Sequence, residues 1–526
     1  MKRFLSLFLF LLSLAAGAQT VPAFLLDAPA GADTLALPPR EIRAVWLTTL
    51  SGLDWPASAL TDAVAAEREK QSLCRMLDQY AAAGFNVVLF QSRIRGTTAY
   101  RSAIEPWDAA IGGRYGREPL FDPLAFAVEE AHRRGLQLHA WVVAFPVCKP
   151  EAVKALGAAS LPRRHPELCR KTNDGWMMDP GVPGTDDYLA ALCAEIARNY
   201  DVDGIHLDYI RYPEASVGFS DAQTYRKYGR GQARKAWERE NVSRCVRKIS
   251  GQVKSLKPWL CVSCSPIGKY ADLPLYSSFG WNARDAVSQD VRRWQQEGWM
   301  DWLFPMMYFD GRHFYPFAFD WAAASDGRPV AAGLATYQLD ARQRDWPLAV
   351  VQRQMRFARQ AGLQGQAQFR SRFLLADTKG IYTWLKQEFY ASPALPPAIA
   401  AGGVPAPAVP KVSCSLEGGQ LRFRIVAEAG AAESGGDTSS LRALLEGGAP
   451  AAERAAALPA PAVRYNVYRV GSDAPLRLVL QGVEGPEFTF RPALPRLLHT
   501  RYAVTAFDRF GRESVPAFVA PGDVCP

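Results

Sequence analysis

The chain is poor in the residues that announce metals, nucleic acids and membranes. Its 526 residues include six histidines, and no cluster of His, Cys, Asp or Glu shows metal-ligand spacing. Beyond the N-terminus no run is long and apolar enough to span a bilayer. The formal charge of +9 is spread out, without a run of Lys and Arg, which excludes a nucleic-acid-binding signature. That mild excess suits a polyanionic envelope or matrix, but reads equally as a solvated surface. The nine cysteines are an odd set, so at least one has no partner within the chain. Cys261 and Cys264 form a C-x-x-C inside a strand-like segment, without a second pair or nearby His, which argues against zinc. No cofactor or metal is implied, and most of the cysteines read as small core residues.

The N-terminus reads as a secretory signal peptide, residues 1–18. Lys2 and Arg3 give the positive region, Phe4 to Leu14 the apolar one, and Ala16-Gly17-Ala18 a small-residue cleavage site. The expectation is a periplasmic or extracellular protein whose first mature residue is Gln19. No Cys directly follows the cleavage site to take a lipid anchor.

From residue 42 to 390, short apolar strands alternate with amphipathic helices. Eight strands are expected: Ile42–Thr49, Asn86–Arg93, Leu136–Val143, Gly204–Asp208, Leu260–Ser265, Trp302–Tyr308, Pro329–Leu334 and Gly365–Arg370. Helices are expected over Asp62–Ala83, Pro123–Arg134, Asp186–Tyr200, Ala233–Leu256 and Leu348–Ala361, with a short, weak one between strands six and seven. Eight β-α units in a row predict an α/β fold, a (β/α)8 barrel of the TIM type, over 19–391. Helix-to-strand links are brief, with Gly84, Gly135, Gly298 and Gly362 at helix stops. Strand-to-helix links are long, notably Ile94–Phe121, Ala144–Thr185, Tyr209–Gln232 and Pro266–Arg284. In such barrels those links build the active site.

After Tyr390 the composition shifts. Residues 392–412 are rich in Pro, Ala and Gly and read as a linker. Alternating strands follow over 413–526, interrupted by an Ala/Gly/Glu-rich insert, Glu428–Pro461. The pattern predicts a small all-β sandwich. Tyr465–Arg469 and Tyr502–Ser514 resemble strands of fibronectin type III domains.

The most informative segment is Asp203–Pro213. Alternation puts Ile205 and Leu207 on one face, and His206 and Asp208 on the other. Asp208 ends a buried strand and is followed by Tyr209, Arg211 and Tyr212. Alone, it reads as a turn cap or a partner for Arg211; a carboxylate placed there is costly unless it is used. Other strand ends also carry polar or aromatic groups: Trp46 and Asp54 from strand one, Gln91, Arg93 and Tyr100 from strand two. Strand three supplies His139 and Trp141, strand five Ser265, and strand six Met306, Tyr308 and Asp310. Each has a bland reading, as a core histidine, a packed aromatic or a polar barrel layer. Their convergence on one barrel face suits sugar recognition, rings stacking on aromatics while hydroxyls take polar contacts.

These residues carry a resemblance. Glu41–Thr49, Leu53–Pro56, Gly84–Arg93, Phe121–Leu124, Glu130–Gly135, Leu138–Trp141, Asp203–Asp208, Cys264–Gly268 and Gly298–Pro305 resemble the bacterial glycosyl-hydrolase-like family 10 of the cell envelope. It is distinct from the xylanase family with the same number. The resemblance implies a glycosidase-like barrel linked with hydrolysis of bacterial glycans, peptidoglycan strands included. Two departures stand out: similar proteins often read Asp-Asp-Tyr where this chain has Asp208-Tyr209, and Pro-Gln-x-Tyr where it has Pro305-Met-Met-Tyr308.

The expected function is a secreted glycoside hydrolase with a polysaccharide substrate; a glycan-binding protein on a degenerate barrel is the alternative. Hydrolysis generally uses two carboxyls, about 5–5.5 Å apart for retention or about 6.5–9.5 Å for inversion. Asp208 is the first expected catalytic residue. Asp310 is preferred for the second over Asp54, Asp179 and Glu105, and a substrate-assisted route through an N-acetyl group would need fewer. Arg93 and His206 are expected to position Asp208 or hold it ionised. Trp46, Asp54, Gln91, Arg93, Tyr100, His139, Trp141, His206, Tyr209, Arg211 and Tyr308 are the expected substrate-binding residues.

Overall fold

A computed structural model describes residues 40–399, 406–426, 464–470, 477–483, 485–492, 500–508 and 510–522. The expected signal peptide, the Glu428–Pro461 insert and residues 400–405 lie outside these.

Ten strands occur in the first unit: β1 Ile42–Leu47, β2 Val87–Arg93, β3 Gln137–Val143, β4 Cys169–Thr172, β5 Gly175–Met178, β6 Gly204–Asp208, β7 Cys261–Cys264, β8 Trp302–Leu303, β9 Ala331–Leu334 and β10 Gly365–Gln368. Eight form one parallel sheet in the order β8-β7-β6-β3-β2-β1-β10-β9. Parallel bridges from Leu303 to Val330 and from Met306 to Gly333 close β8 onto β9, so the sheet is a barrel. The extra pair, β4 and β5, is a hairpin inside the long link after β3.

Local chemistry sets the helix ends. Asp62 accepts the Ala65 N–H, and Asp122 accepts those of Leu124 and Ala125 ahead of Pro123. Gly84, Gly135, Gly298 and Gly362 all take positive φ where helices stop. The expected weak helix proves to be ten residues, Phe314–Ala323, apolar because it packs into the outer core through Phe314, Phe317 and Trp321.

Two cores result. One lies between sheet and helices; the other fills the barrel, with Trp46, Leu89, Trp141, Trp302 and Phe304 among its members. Cys261 belongs to the inner core and Cys264 to the outer, as a three-residue step along a strand requires. The eight described cysteines are free thiols, seven of them buried. No described helix is long and apolar enough to cross a membrane.

The second unit has two antiparallel sheets. The first orders Lys411–Glu417 (β11), Gln420–Val426 (β12) and Glu487–Phe490 (β15). The second orders β14 (Arg477–Val483), β13 (Arg464–Arg469), β16 (Tyr502–Phe507) and β17 (Ala517–Val519). Phe423, Phe488 and Tyr502 meet in their shared core. The strand Lys411–Glu417 begins within the segment read as linker.

Candidate active site

The inward side of β6 presents Gly204, His206 and Asp208 in rising layers. Gly204 is small for a reason: a Cβ there would lie 2.5 Å from His139 Nδ1 and 2.7 Å from the Cys261 carbonyl. His139 is wholly buried, stacked on Trp302 with ring centroids 5.3 Å apart. Its Nε2 lies 3.3 Å from Gln137 Oε1, and its Nδ1 has no partner. Burial lowers its pKa to about 4, so it is a neutral ring two layers below Asp208.

His206 sits one layer higher. The Trp46 indole N–H can only donate, so His206 Nε2, 3.1 Å away, must be the acceptor. The ring proton therefore sits on Nδ1, which faces Ser263 Oγ at 3.0 Å. Burial and the neighbouring His139 hold His206 neutral, well below the ordinary histidine range. Phe304 packs against its ring edge-on.

Asp208 crowns the strand, 6% exposed. Its Oδ1 accepts the Tyr209 backbone N–H at 2.8 Å and the Ser265 hydroxyl at 2.9 Å. Its Oδ2 accepts the Trp141 indole N–H at 3.1 Å. Burial raises its pKa above the ordinary carboxyl value, although Ser265, Tyr209 N–H, Arg211 and Trp141 each pull the other way. The carboxyl is thus fixed in orientation and biased toward holding its proton. No second carboxylate is among the groups bearing most on it.

Around it, Tyr209 takes a left-handed conformation (φ 51°) that swings its ring outward, 40% exposed. The Arg211 guanidinium lies 4.8 Å from that ring's centre, bonds Glu214 rather than Asp208, and leaves its Nε without a partner. Tyr308 stacks on Phe369 at 5.6 Å. Burial first, then the nearby Asp208 charge, keep its phenol protonated. A cleft of about 290 Å³ opens beside Tyr209 and Arg211, lined also by Arg95, Lys149, Trp176 and Glu214.

Other expected site residues go elsewhere. The register slips between Gln91 and Arg93, which pair with Trp141 and Val142. This bulge turns Arg93 out of the barrel, onto the side where Val142 packs in the outer core. There Arg93 makes a two-pronged pair with Glu105 at 2.7 and 2.8 Å and donates to the Val143 and Ala144 carbonyls. Neither Arg93 nor His206 bonds Asp208, and the carboxyl is raised rather than held ionised. Tyr100 is wholly buried, donating to Glu195. Asp54 is used up tying its loop to the segment after β10, accepting the Thr48 and Arg372 N–H groups 3.5 Å from Arg370. Asp179 accepts from Thr224 and the Gly181 N–H. Asp310 is exposed and 3.5 Å from Arg344. Gln91 does reach the interior: its Oε1 accepts from Thr48 Oγ1, Thr49 N and Leu50 N, and its amide nitrogen has no partner among the described residues. Trp141, Tyr209, Arg211 and Tyr308 are thus brought to Asp208, with Trp46, Gln91 and His206 inside the barrel below. Ser263 and Ser265 join them; their signal is plain alternation along β7.

Residues 41–344 match the family model described as glycosyl hydrolase-like 10. The chain belongs to that family. It is 33% identical over 313 residues to glycosyl hydrolase DigH of Escherichia coli K12, covering 55% of this chain and 71% of DigH. To glycosyl hydrolase YngK of Bacillus subtilis 168 it is 30% identical over 394 residues, covering 71% of this chain and 76% of YngK. Among solved structures it is similar to the PgaB glycoside hydrolase domain of Bordetella bronchiseptica: 12% identity, TM-score 0.44, 66% of this chain and 98% of that domain. Membership of the glycosyl hydrolase-like 10 family and the geometry around Asp208 together support a glycan-acting protein.

Proposed function

We propose that this protein is a secreted glycoside hydrolase acting on an amino-sugar polysaccharide of the bacterial envelope or matrix, peptidoglycan strands being the first candidate. The observation that carries the reading is Asp208, a carboxyl at a barrel-strand end, oriented by three donors and with its proton affinity raised. A carboxyl whose hold on its proton is strengthened by burial is what protonation of a leaving glycosidic oxygen requires. In the proposed reaction Asp208 gives its proton to that oxygen as the bond to the anomeric carbon breaks. The carbonyl oxygen of the sugar's own N-acetyl group attacks the anomeric carbon from the other face, giving a cationic oxazolinium ring. Water then opens that ring as the water's proton passes to the Asp208 carboxylate. This route suits a mouth in which Asp54, Asp179 and Glu105 are committed to structural partners. Asp310, exposed at the rim, is the protein carboxyl available for a two-carboxyl route.

The test is to incubate the purified protein and its Asp208→Asn variant with denuded peptidoglycan strands and count new reducing ends. Product from wild type and a loss of about 10²–10⁴-fold in the variant is expected. Equal product from both would sink the role of Asp208. Retained glycan binding without product from wild type would favour a binding protein on a glycosidase barrel, the reading consistent with the lone carboxyl.

A further inference from the structure

The link after β7 continues directly from Ser265, the residue bonded to Asp208, and runs over Pro266–Arg284. It holds apolar side chains in water: Leu275 is 78% exposed, Phe279 80% and Trp281 47%. Such exposure is common for a floppy loop, but this loop is pinned. Lys269 is 1% exposed, and its ammonium donates to Asp272 Oδ1 (2.8 Å), Ser278 Oγ (3.1 Å), Phe279 O (3.0 Å) and Gly280 O (3.1 Å). Three ammonium protons shared among four acceptors fix the backbone under Phe279. The Phe279 ring meets His313 edge-on at 4.8 Å, and the Tyr276 hydroxyl reaches His313 Nδ1 at 3.1 Å. The loop is thereby braced on the link after β8. The Trp321 indole N–H donating to the Gly268 carbonyl ties its base down.

A buried cation spent on displaying an aromatic ring has a cost that a bystander loop would not carry. The surroundings identify what the ring meets. Between Pro266 and Arg284 the charges are Lys269 and Asp272, which neutralise each other, and Arg284, which lies 3.2 Å from Asp285. The display is therefore apolar and uncharged. It lacks the exposed basic cluster that would draw it to anionic lipid or a polyanion. Its place around the barrel is also specific. The cleft of Arg95, Trp176 and Tyr209 is built from the links after β2, β3 and β6, whereas Phe279 and Trp281 belong to the link after β7, which is braced on the link after β8. Asp208 ends β6, which pairs with β3 on the cleft's side and with β7 on the other.

We infer that Phe279 and Trp281 form a distal sugar-binding platform that stacks on pyranose rings of a glycan strand threaded across Asp208. Its ligand is several linked sugar residues, not a single sugar, because the cleft on the far side of Asp208 must be occupied by the same chain. This rests on the glycan-hydrolase reading above and adds to it a requirement for long strands. Ring stacking supplies the contact: the apolar face of a pyranose covers the exposed aromatic, while its hydroxyls stay in water.

The full-length protein and its Phe279→Ala/Trp281→Ala variant are compared on denuded glycan strands sorted by length. Both rings are exposed, so the double variant should keep the melting temperature of wild type. A rise in KM of about tenfold on long strands is expected, with kcat unchanged and short oligosaccharides cleaved as before. Equal KM values on long strands would overturn the platform while leaving the hydrolase reading intact. If wild type releases no reducing ends at all, the hydrolase reading has failed and co-sedimentation with insoluble glycan decides the platform. Weaker pelleting of the variant supports it, and equal pelleting overturns it. Binding of wild type but not the variant to phosphatidylglycerol vesicles, with strand kinetics unchanged, would instead assign the loop to a membrane.

Discussion

Asp208 carries an energetic contradiction that can be measured. A carboxyl whose folded-state pKa lies above its unfolded value stabilises the fold fully only below the unfolded pKa. That contribution is lost as pH rises through the folded one. At neutral pH the ionised form is thus held at a cost, which Asp208→Asn removes while keeping the Ser265 and Trp141 contacts possible. The variant should melt at or above the wild-type temperature at pH 7 and show no such gain at pH 3, while activity collapses. A thermal scan at the two pH values checks this; an Asn variant that melts lower at pH 7 would mean the carboxylate is structural. If Asp208 works as an acid, wild-type kcat/KM should also fall as pH rises through its raised pKa. His139 obeys the opposite sign. Its pKa falls from the ordinary 6.5 to about 4, so its neutral form contributes stability above pH 6.5 that is lost as pH drops toward 4. The loss is bounded at about 3 kcal/mol, at 1.36 kcal/mol per unit. Urea titrations of wild type and His139→Phe at pH 7 and 4.5 should show the pH penalty shrinking in the variant.

Elements explain why the barrel was legible and half of its site was not. Buried parallel strands read as apolar runs, so all eight appear in the sequence, although the sixth, expected to run to Tyr308, ends at Leu303. Period-two alternation then places His206 with Asp208, and Gln91 with Trp141, on the inner side. It fails at Arg93 because the bulge after Gln91 breaks the alternation, and nothing in Gln91-Ser92-Arg93 marks it. It also says nothing of Ser265 against Asp208, which is a matter of neighbouring strands in space. The hairpin Cys169–Met178 was invisible because Arg170, Lys171 and Thr172 are polar and face a loop, not a core. The bulge has a consequence for stability. Arg93 and Glu105 are both buried, and Glu105 also accepts the Tyr188 hydroxyl. Removing one charge leaves the other uncompensated, so Glu105→Gln should cost about 3–5 kcal/mol. Arg93→Met with Glu105→Leu should cost less than the two single changes together. Chemical denaturation of the four proteins reads the cycle, and strict additivity would deny the pair its role.

At the scale of the whole molecule, the second unit occupies the end of the barrel away from Asp208. Its contacts include residues that precede strands, Arg40 ahead of β1 and Trp259 ahead of β7, and residues of the segment after the last barrel helix, such as Ser392 and Leu395. Arg40 donates to Glu513 Oε2 at 3.0 Å, where Asn466, Tyr468 and Thr505 also converge. Phe510 packs edge-on against Trp259 and its carbonyl accepts the Ile399 N–H. A cavity lined by His132, Asp203 and Arg464 lies between the two units. Among the described residues, these contacts of the β-sheet unit lie at the strand-start end of the barrel, opposite Asp208. Phe510→Ala should therefore loosen the junction by about 3 kcal/mol without touching catalysis. Calorimetry should resolve an early transition for the β-sheet unit ahead of the barrel, in place of one joint melt. Below that transition, kcat/KM on soluble strands should equal wild type. A fall in kcat/KM with both units still folded would mean that the junction communicates with Asp208 through the strands, beginning with Asp203 at the foot of β6.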